Sequence, residues 1–282
     1  MESEDKKTLL ALEQTLFDLA KGKEAFYAEV PKLIRRSIDE VIDTPRTQRL
    51  KLKELEKTEK AYIGTKIEIL LRDFLDIPKG VVLDLQINGL EVDIKNTIKR
   101  DWMIPQEAFG KICILVRSSE EKSKCDLGLI VTRTEYLSKG QNQDKKKRIS
   151  AEGQKQIYWI MKDYPYPRNF WEDVEEETAK AIMSASSGNK RLVTLFKNFP
   201  HIPISRQIIE GVGRQKDFMR RIRKGGGARD FFKENGIALL SGTFDSEIIE
   251  QLGLKTCSKE EFIAVEPNTP EAIQILKNAG HL

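Results

Sequence analysis

Asp84, Asp93 and Lys95 are the residues of this 282-residue chain whose types and spacing can do chemistry. Two carboxylates and an ammonium on one surface suit a hard divalent cation such as Mg²⁺, which takes one or two carboxylate oxygens and keeps several waters. The lysine would orient or deprotonate an attacking water and offset charge on a phosphorus centre. A local element must bring them together, and Val81–Lys95 reads as that element, a β-hairpin. Asn88-Gly89 is the dipeptide preferred in a type I′ turn, where both central residues need φ > 0. Across that turn Ile87 faces Leu90, Gln86 faces Glu91 and Asp84 faces Asp93. Side chains alternate along a strand, so Leu83, Leu85, Ile87, Leu90, Val92 and Ile94 are expected on one face. Asp84, Gln86, Glu91, Asp93 and Lys95 fall on the other. Like charges directly opposite are destabilising, so Asp84 against Asp93 asks for a cation between them. An ordinary hairpin with one wet face would show the same alternation.

The order Asp…(Asp/Glu)-x-Lys is that of many Mg²⁺-dependent nucleases. Such a site gathers a further carboxylate from a preceding helix. Lys51–Leu75 carries Ile63, Ile67, Leu70, Leu71 and Phe74 at helical spacing, and Glu68 borders that apolar face. Glu59 and Glu91 are weaker candidates. An exposed helix-edge glutamate is the competing reading of Glu68.

The charge balance narrows the partners. Lysines and arginines exceed acids by four over the chain. Between Ile204 and Arg229 eight basic residues face only Glu210 and Asp217, so that window carries +6 and the rest sums to −2. A local basic block points to a polyanion. The three cysteines have neither zinc spacing nor a disulfide framework, and Cys113 sits in an apolar run that reads as core. Two histidines, His201 and His281, give little support to histidine-based chemistry. The charged N-terminal residues are not a signal peptide, and no apolar run approaches ~20 residues. A reducing cytoplasm is expected.

Residues 7–42 read as two helices. Ile112–Val116 and Leu127–Thr132 read as buried strands and Glu152–Lys162 as a closing helix, giving an α/β domain over 1–165. A second, smaller domain is expected over 166–282. There Lys190–Phe199 is amphipathic, and Ser205 is placed to cap a short helix. Gly211-Val-Gly213 reads as a turn, and Arg214–Lys224 as a second helix that Gly225-Gly-Gly227 ends. Two short helices about a glycine turn look like a helix-turn-helix, and a solvated basic face over an ordinary core helix is the competing reading. Lys216, Arg220, Arg223 and Lys224 share one face, while Phe218, Met219 and Ile222 share the other. Gln207 and Gln215 can read base edges, and Arg206, Arg214 and Arg229 add charge. Ile237–Leu240 reads as a strand, a candidate wing.

A longer set of motifs narrows the class. Lys57-Thr-Glu-Lys60, Gly64-Thr65…Glu68, Asp84…Val92-Asp93-Ile-Lys95 and Trp102-Met-Ile-Pro105-x-Glu107 together resemble the NaeI family of type II restriction endonucleases. Gln215-x-Asp217-Phe218-Met219-x-Arg221-x-Arg223…Gly226-Gly-Ala-Arg229, followed by Gly236-Ile237, is similar to that family's C-terminal DNA-binding domain. The match runs in order over roughly residues 45–242. The resemblance implies a restriction-endonuclease-like PD-(D/E)xK domain related to the nickase MutH, followed by a CAP-like winged-helix or helix-turn-helix domain. It puts the acidic and basic site residues on Glu68, Asp84, Asp93 and Lys95. It also implies a homodimer that binds two DNA duplexes, an effector copy activating cleavage of the other. Leu83 stands where the wider superfamily commonly has Pro.

The resulting expectation is Mg²⁺-dependent, site-specific hydrolysis of double-stranded DNA, leaving 5′-phosphate and 3′-hydroxyl ends. Asp84 and Asp93 would hold the metal, Glu68 would support it directly or through water, and Lys95 would serve the nucleophile. Asn96, Thr97 and Trp102 follow the motif as candidate DNA contacts. A MutH-like nickase and a DNA-binding regulator with a dead nuclease domain are the rival readings.

Overall fold

The structure is a computed structural model and describes residues 2–214, 222 and 227–282. The chain divides into two compact units, Met1–Ile42 with Lys51–Asn169, and Asp43–Leu50 with Phe170–Leu282. Among the described residues no helix is long and apolar enough to cross a membrane.

The first unit opens with α1 (Ser3–Leu19) and α2 (Lys23–Ile42). The short α3 (Thr44–Thr47) belongs to the second unit. Helix α4 (Lys57–Leu75) starts at a capping box in which Glu56 and Glu59 each satisfy the other's backbone N–H. It stops at Asp76, whose φ of 49° is left-handed. A mixed five-stranded sheet follows. Its strands are β1 (Leu85–Ile87), β2 (Leu90–Thr97), β4 (Ile112–Ser119), β5 (Lys124–Val131) and β7 (Tyr158–Pro165), in the order β1-β2-β4-β5-β7. Between them β3 (Met103–Ile104) pairs with β6 (Lys147–Arg148), and α5 (Ala151–Lys155) precedes β7. Strands β2 and β4 are parallel, and the other neighbours in the sheet are antiparallel.

Both faces of this sheet are covered. One face, with Leu85, Ile87, Val92, Ile94, Ile112, Ile114 and Val116, packs on the apolar stripes of α1, α2 and α4. The other carries a smaller core of Trp102, Ile104, Ala108, Cys113, Leu115, Ile130, Leu137 and Ile149. Strands buried on both faces read as continuous apolar runs, which is what Ile112–Val116 and Leu127–Val131 are.

Two sequence expectations change here. Glu152–Lys162 is not one helix, because α5 ends at Lys155 and β7 begins at Tyr158. Tyr158, Trp159 and Ile160 favour a pleated, half-buried surface, and pairing with β5 satisfies their backbone. Leu83 does not share the face of Leu85. The strand begins only at Leu85, and Leu83 turns into the core around Trp102.

In the second unit, α6 (Glu176–Ser184), α7 (Gly188–Asn198) and α8 (Arg206–Gly213) pack about a three-stranded antiparallel sheet, β8-β10-β9. Its strands are β8 (Ile204–Ser205), β9 (Ala238–Ser241) and β10 (Glu261–Val265), and further helices are α9 (Ala228–Glu234), α10 (Ser246–Gln251) and α11 (Pro270–Asn278). Ser205 caps α8, its hydroxyl accepting from the Ile208 N–H. Gly211-Val-Gly213 is the last turn of α8 rather than a loop, and the chain leaves the helix at Arg214, with φ 55°. That position is where a left-handed residue commonly ends a helix. The second basic helix expected over Arg214–Lys224, with Gln215, Lys216, Arg220, Arg223 and Lys224, lies outside the described residues but for its first residue and Ile222.

Candidate active site

The hairpin forms with the register its sequence dictates. Gln86 pairs with Glu91 and Ile87 with Leu90, and the turn residues Asn88 and Gly89 take φ of 51° and 75°. Asp84, one residue before β1, comes beside β2, and its Oδ2 accepts the Ile94 N–H at 2.8 Å. Asp93 and Lys95 point to the same side of β2. The Lys95 ammonium donates to Asp93 Oδ1 at 2.7 Å and to the Ile94 carbonyl at 3.0 Å, and lies 3.7 Å from Asp84 Oδ2.

Asp93 is 3 % exposed. Its neighbour across the parallel pairing is Cys113, whose thiol donates to Asp93 Oδ2 at 3.8 Å. A carboxylate on an otherwise apolar face costs free energy unless it is paired. Burial first, and the Asp84 carboxyl second, push Asp93 up to about 6. Burial acts on Lys95 in the opposite sense, but Asp93 and Asp84 outweigh it and hold the lysine above its ordinary value. Burial also pushes the Cys113 thiol well up, with Asp93 adding to it, so Cys113 is a neutral donor and not a nucleophile.

Glu68 joins this group from α4. Burial raises it to about 7, and Asp84 adds to the rise. Lys95 and Asp93 also act on it electrostatically, in opposite senses. The helix-edge glutamate is thus partly buried and near enough to the two aspartates to feel their charge. Glu59 is committed to the α4 capping box. Glu91 is a loop organiser: its carboxylate accepts the N–H groups of Val81, Val82 and Leu83 at 2.9, 3.2 and 2.8 Å. Those three bonds, led by Leu83, hold its carboxyl below the usual range. Gly80 fits only as glycine, since a Cβ there would lie 2.6 Å from Glu91 Oε2 and 2.5 Å from the Leu83 carbonyl. The wrapped Gly80–Leu83 turn is what delivers Asp84 to β2.

Other buried acids are tied elsewhere. Asp126 accepts from Arg117 Nε at 2.6 Å and from the Asp163 N–H at 2.7 Å, and Asp5 pairs with Arg133. Among the described residues no three histidine, cysteine, aspartate or glutamate side chains form a preassembled cage for a metal. The oxygen donors of Asp84 and Asp93 nonetheless suit a hard divalent cation, which keeps waters of its own. A buried carboxyl whose charge is disfavoured gains from such a counter-ion.

The expected DNA contacts separate. Trp102 is 1 % exposed, and its indole N–H donates to the Val116 carbonyl at 2.9 Å. It is a core residue with the Arg117 guanidinium over its ring, so DNA does not reach it in this fold. An aromatic among polar residues looks like a stacking platform in sequence, and only the second core reveals its burial. Arg206 and Gln207 are exposed on the first turn of α8. Arg214 donates to the Met183 carbonyl at 2.7 Å, and Arg229 lies 3.8 Å from Asp245. These two arginines have internal partners. Cys113, the neighbour sequence reasoning missed, has no local signal, because parallel pairing joins strands distant in sequence.

A mixed α/β sheet that joins two carboxylates and a lysine beside a helix-borne glutamate is consistent with a nuclease fold. Comparison with known proteins points the same way: the family model for restriction endonuclease NaeI matches residues 26–272. The type II restriction enzyme NaeI of Lentzea aerocolonigenes is 31% identical over 241 residues, which span 82% of this chain and 76% of that enzyme. The chain belongs to the NaeI restriction endonuclease family and is a DNA endonuclease, a hydrolase.

Proposed function

We propose that the chain is a type II, site-specific, Mg²⁺-dependent endonuclease of double-stranded DNA whose cutting centre is Glu68, Asp84, Asp93 and Lys95. The observation that carries this reading is Asp93, a carboxylate buried on an apolar face with Asp84 and Lys95 against it. Asp84 and Asp93 would hold the metal, and Glu68 would support it through water. The bound cation would supply a more acidic water and offset charge on the phosphate and leaving oxygen. Around it, the protein's own groups set the geometry. The Ile94 N–H fixes Asp84, and the Cys113 thiol fixes one oxygen of Asp93. Lys95, held as an ammonium by both aspartates, offers hydrogen bonds to the attacking water and the phosphate oxygens. Hydrolysis then leaves 5′-phosphate and 3′-hydroxyl ends.

In this reading residues 1–165 form a PD-(D/E)xK domain and 166–282 a CAP-like winged-helix or helix-turn-helix domain. Arg206 and Gln207, with Gln215, Lys216, Arg220, Arg223 and Lys224 of the basic block, contact DNA. The working form is a cytoplasmic homodimer holding two duplexes, one of them an effector.

The test is to incubate the purified chain with plasmid and phage DNAs, with and without Mg²⁺, and to map the products. Discrete linear fragments that require the metal are expected. Nicked circles alone would replace this reading with a MutH-like nickase. Intact DNA under tight binding, even after a mixed effector DNA is added, would replace it with a regulator.

A further inference from the structure

A cleft of about 560 Å³ opens where the start of α4 meets the end of β2. Leu55, Glu56, Lys57, Lys60 and Ala61 line one side, and Asn96, Thr97, Ile98 and Lys99 the other. Both walls belong to elements of the cutting centre, since α4 bears Glu68 and β2 bears Asp93 and Lys95. Gly64 brings the two close: a Cβ on it would lie 3.7 Å from that of Asn96.

Charge in the cleft is mainly positive. Lys57 and Lys99 are exposed and Lys60 is half-buried, its ammonium 3.4 Å from the Lys53 carbonyl. The opposing acid, Glu56, is spent on the helix N-terminus through the capping box. Thr97 Oγ1 accepts the Lys99 N–H at 3.0 Å, which bends the chain so that Lys99 turns along the cleft wall. Asn96 Oδ1 is buried with no hydrogen-bond partner in the protein. Such a group is costly to leave unmet, and a water would have to donate to it, since phosphate oxygens only accept.

From Lys95 to Lys99 the backbone spans at most about 14 Å. Phosphates recur at roughly 3.4 Å of helix axis per strand, so the cleft lies within about four phosphates of the bond cut at Lys95.

We propose that this cleft is a backbone clamp on the cleaved strand, with Lys57, Lys60 and Lys99 holding phosphates beside the scissile one. The proposal rests on the nuclease reading above and names positioning residues for it. They set where the strand lies, and the chemistry stays with Asp84, Asp93 and Lys95.

The test uses the full-length chain in two arms. In the first, lysines are acetylated with a water-soluble ester in EDTA, with and without sonicated duplex DNA, and reactivity is read by peptide mass spectrometry. Protection of Lys57, Lys60 and Lys99 by at least about threefold is expected. In the second, the triple variant Lys57→Ala/Lys60→Ala/Lys99→Ala cuts plasmid in Mg²⁺ beside the wild type. Its KM should rise by more than tenfold, with kcat at saturating DNA within about threefold. A merely structural role would instead lower the melting temperature and leave the protection pattern flat. Unprotected lysines overturn the clamp whether or not the wild type cuts, and an unchanged KM overturns it where the wild type does. A wild type that never cuts but protects these three lysines overturns the nuclease reading and supports the clamp.

Discussion

Asp93 shows how one side chain can be destabilising and functional at once. It is buried beside Cys113, and its charge is tolerated because Lys95 and the Cys113 thiol hold it. Replacing Asp93 or Lys95 with Ala should lower cleavage at least about a hundredfold, the scale seen when one preorganised electrostatic group is lost. DNA affinity measured by gel shift in EDTA should stay within a few-fold. Glu68 makes a pH prediction. Its folded value of about 7 lies above its ordinary 4.5. The folded chain thus binds the proton more tightly, and this contribution to stability is lost as pH rises from about 4.5 to about 7. In EDTA at pH 8, Glu68→Gln should therefore melt at a higher temperature than the wild type. The difference should shrink as pH falls and vanish only below about 4.5, where Glu68 is neutral in both the folded and the unfolded chain. A variant that melts lower at pH 8 would show that Glu68 is paired and not strained.

At the scale of elements, the hairpin, its register and its turn were legible in the sequence because they are local: a dipeptide fixes the turn and the alternation fixes the faces. Glu68 was narrowed by its place on the edge of an apolar helix stripe. What was not legible depends on contacts that strand alternation does not encode, most of them with chain distant in sequence. Leu83 left its expected face because Glu91 captures three backbone N–H groups and delays the strand. Trp102 became core because β3, β6 and the segment around Leu137 cover the sheet's second face. Tyr158–Pro165 became a strand because β5 offers it an edge. Glu91 should accordingly matter to the site without touching DNA. Glu91→Ala should free the Gly80–Leu83 turn, displace Asp84 and slow cleavage by up to about a hundredfold, the cost of a misplacement of about 1 Å. An unchanged rate would mean that Asp84 is positioned by the Ile94 N–H alone. Trp102→Ala should cost about 3–5 kcal/mol of stability, as for other large buried aromatics, measured by urea unfolding.

Across the whole molecule, charge is unevenly spread. The chain is nearly balanced, yet the window from Ile204 to Arg229 concentrates six net positive charges. Neutralising about six phosphates would give a slope near −5 in log affinity against log salt. The arginines of that window should respond differently. Arg206→Ala, exposed on α8, should weaken DNA binding. Arg214→Ala should lower the melting temperature, because its guanidinium ties the end of α8 to the Met183 carbonyl. Equal effects on binding and none on melting would place both at the DNA.

The most direct test of the central claim is a single cleavage assay. Wild type, Asp93→Ala and Lys95→Ala are incubated with one plasmid that the wild type cuts, in Mg²⁺ and in EDTA, with DNA binding measured in parallel. Linear product is expected from the wild type in Mg²⁺ alone, none from either variant, and binding by all three. Cutting that persists in purified Asp93→Ala and Lys95→Ala would contradict the claim, because the hydrolytic centre would then lie elsewhere in the chain.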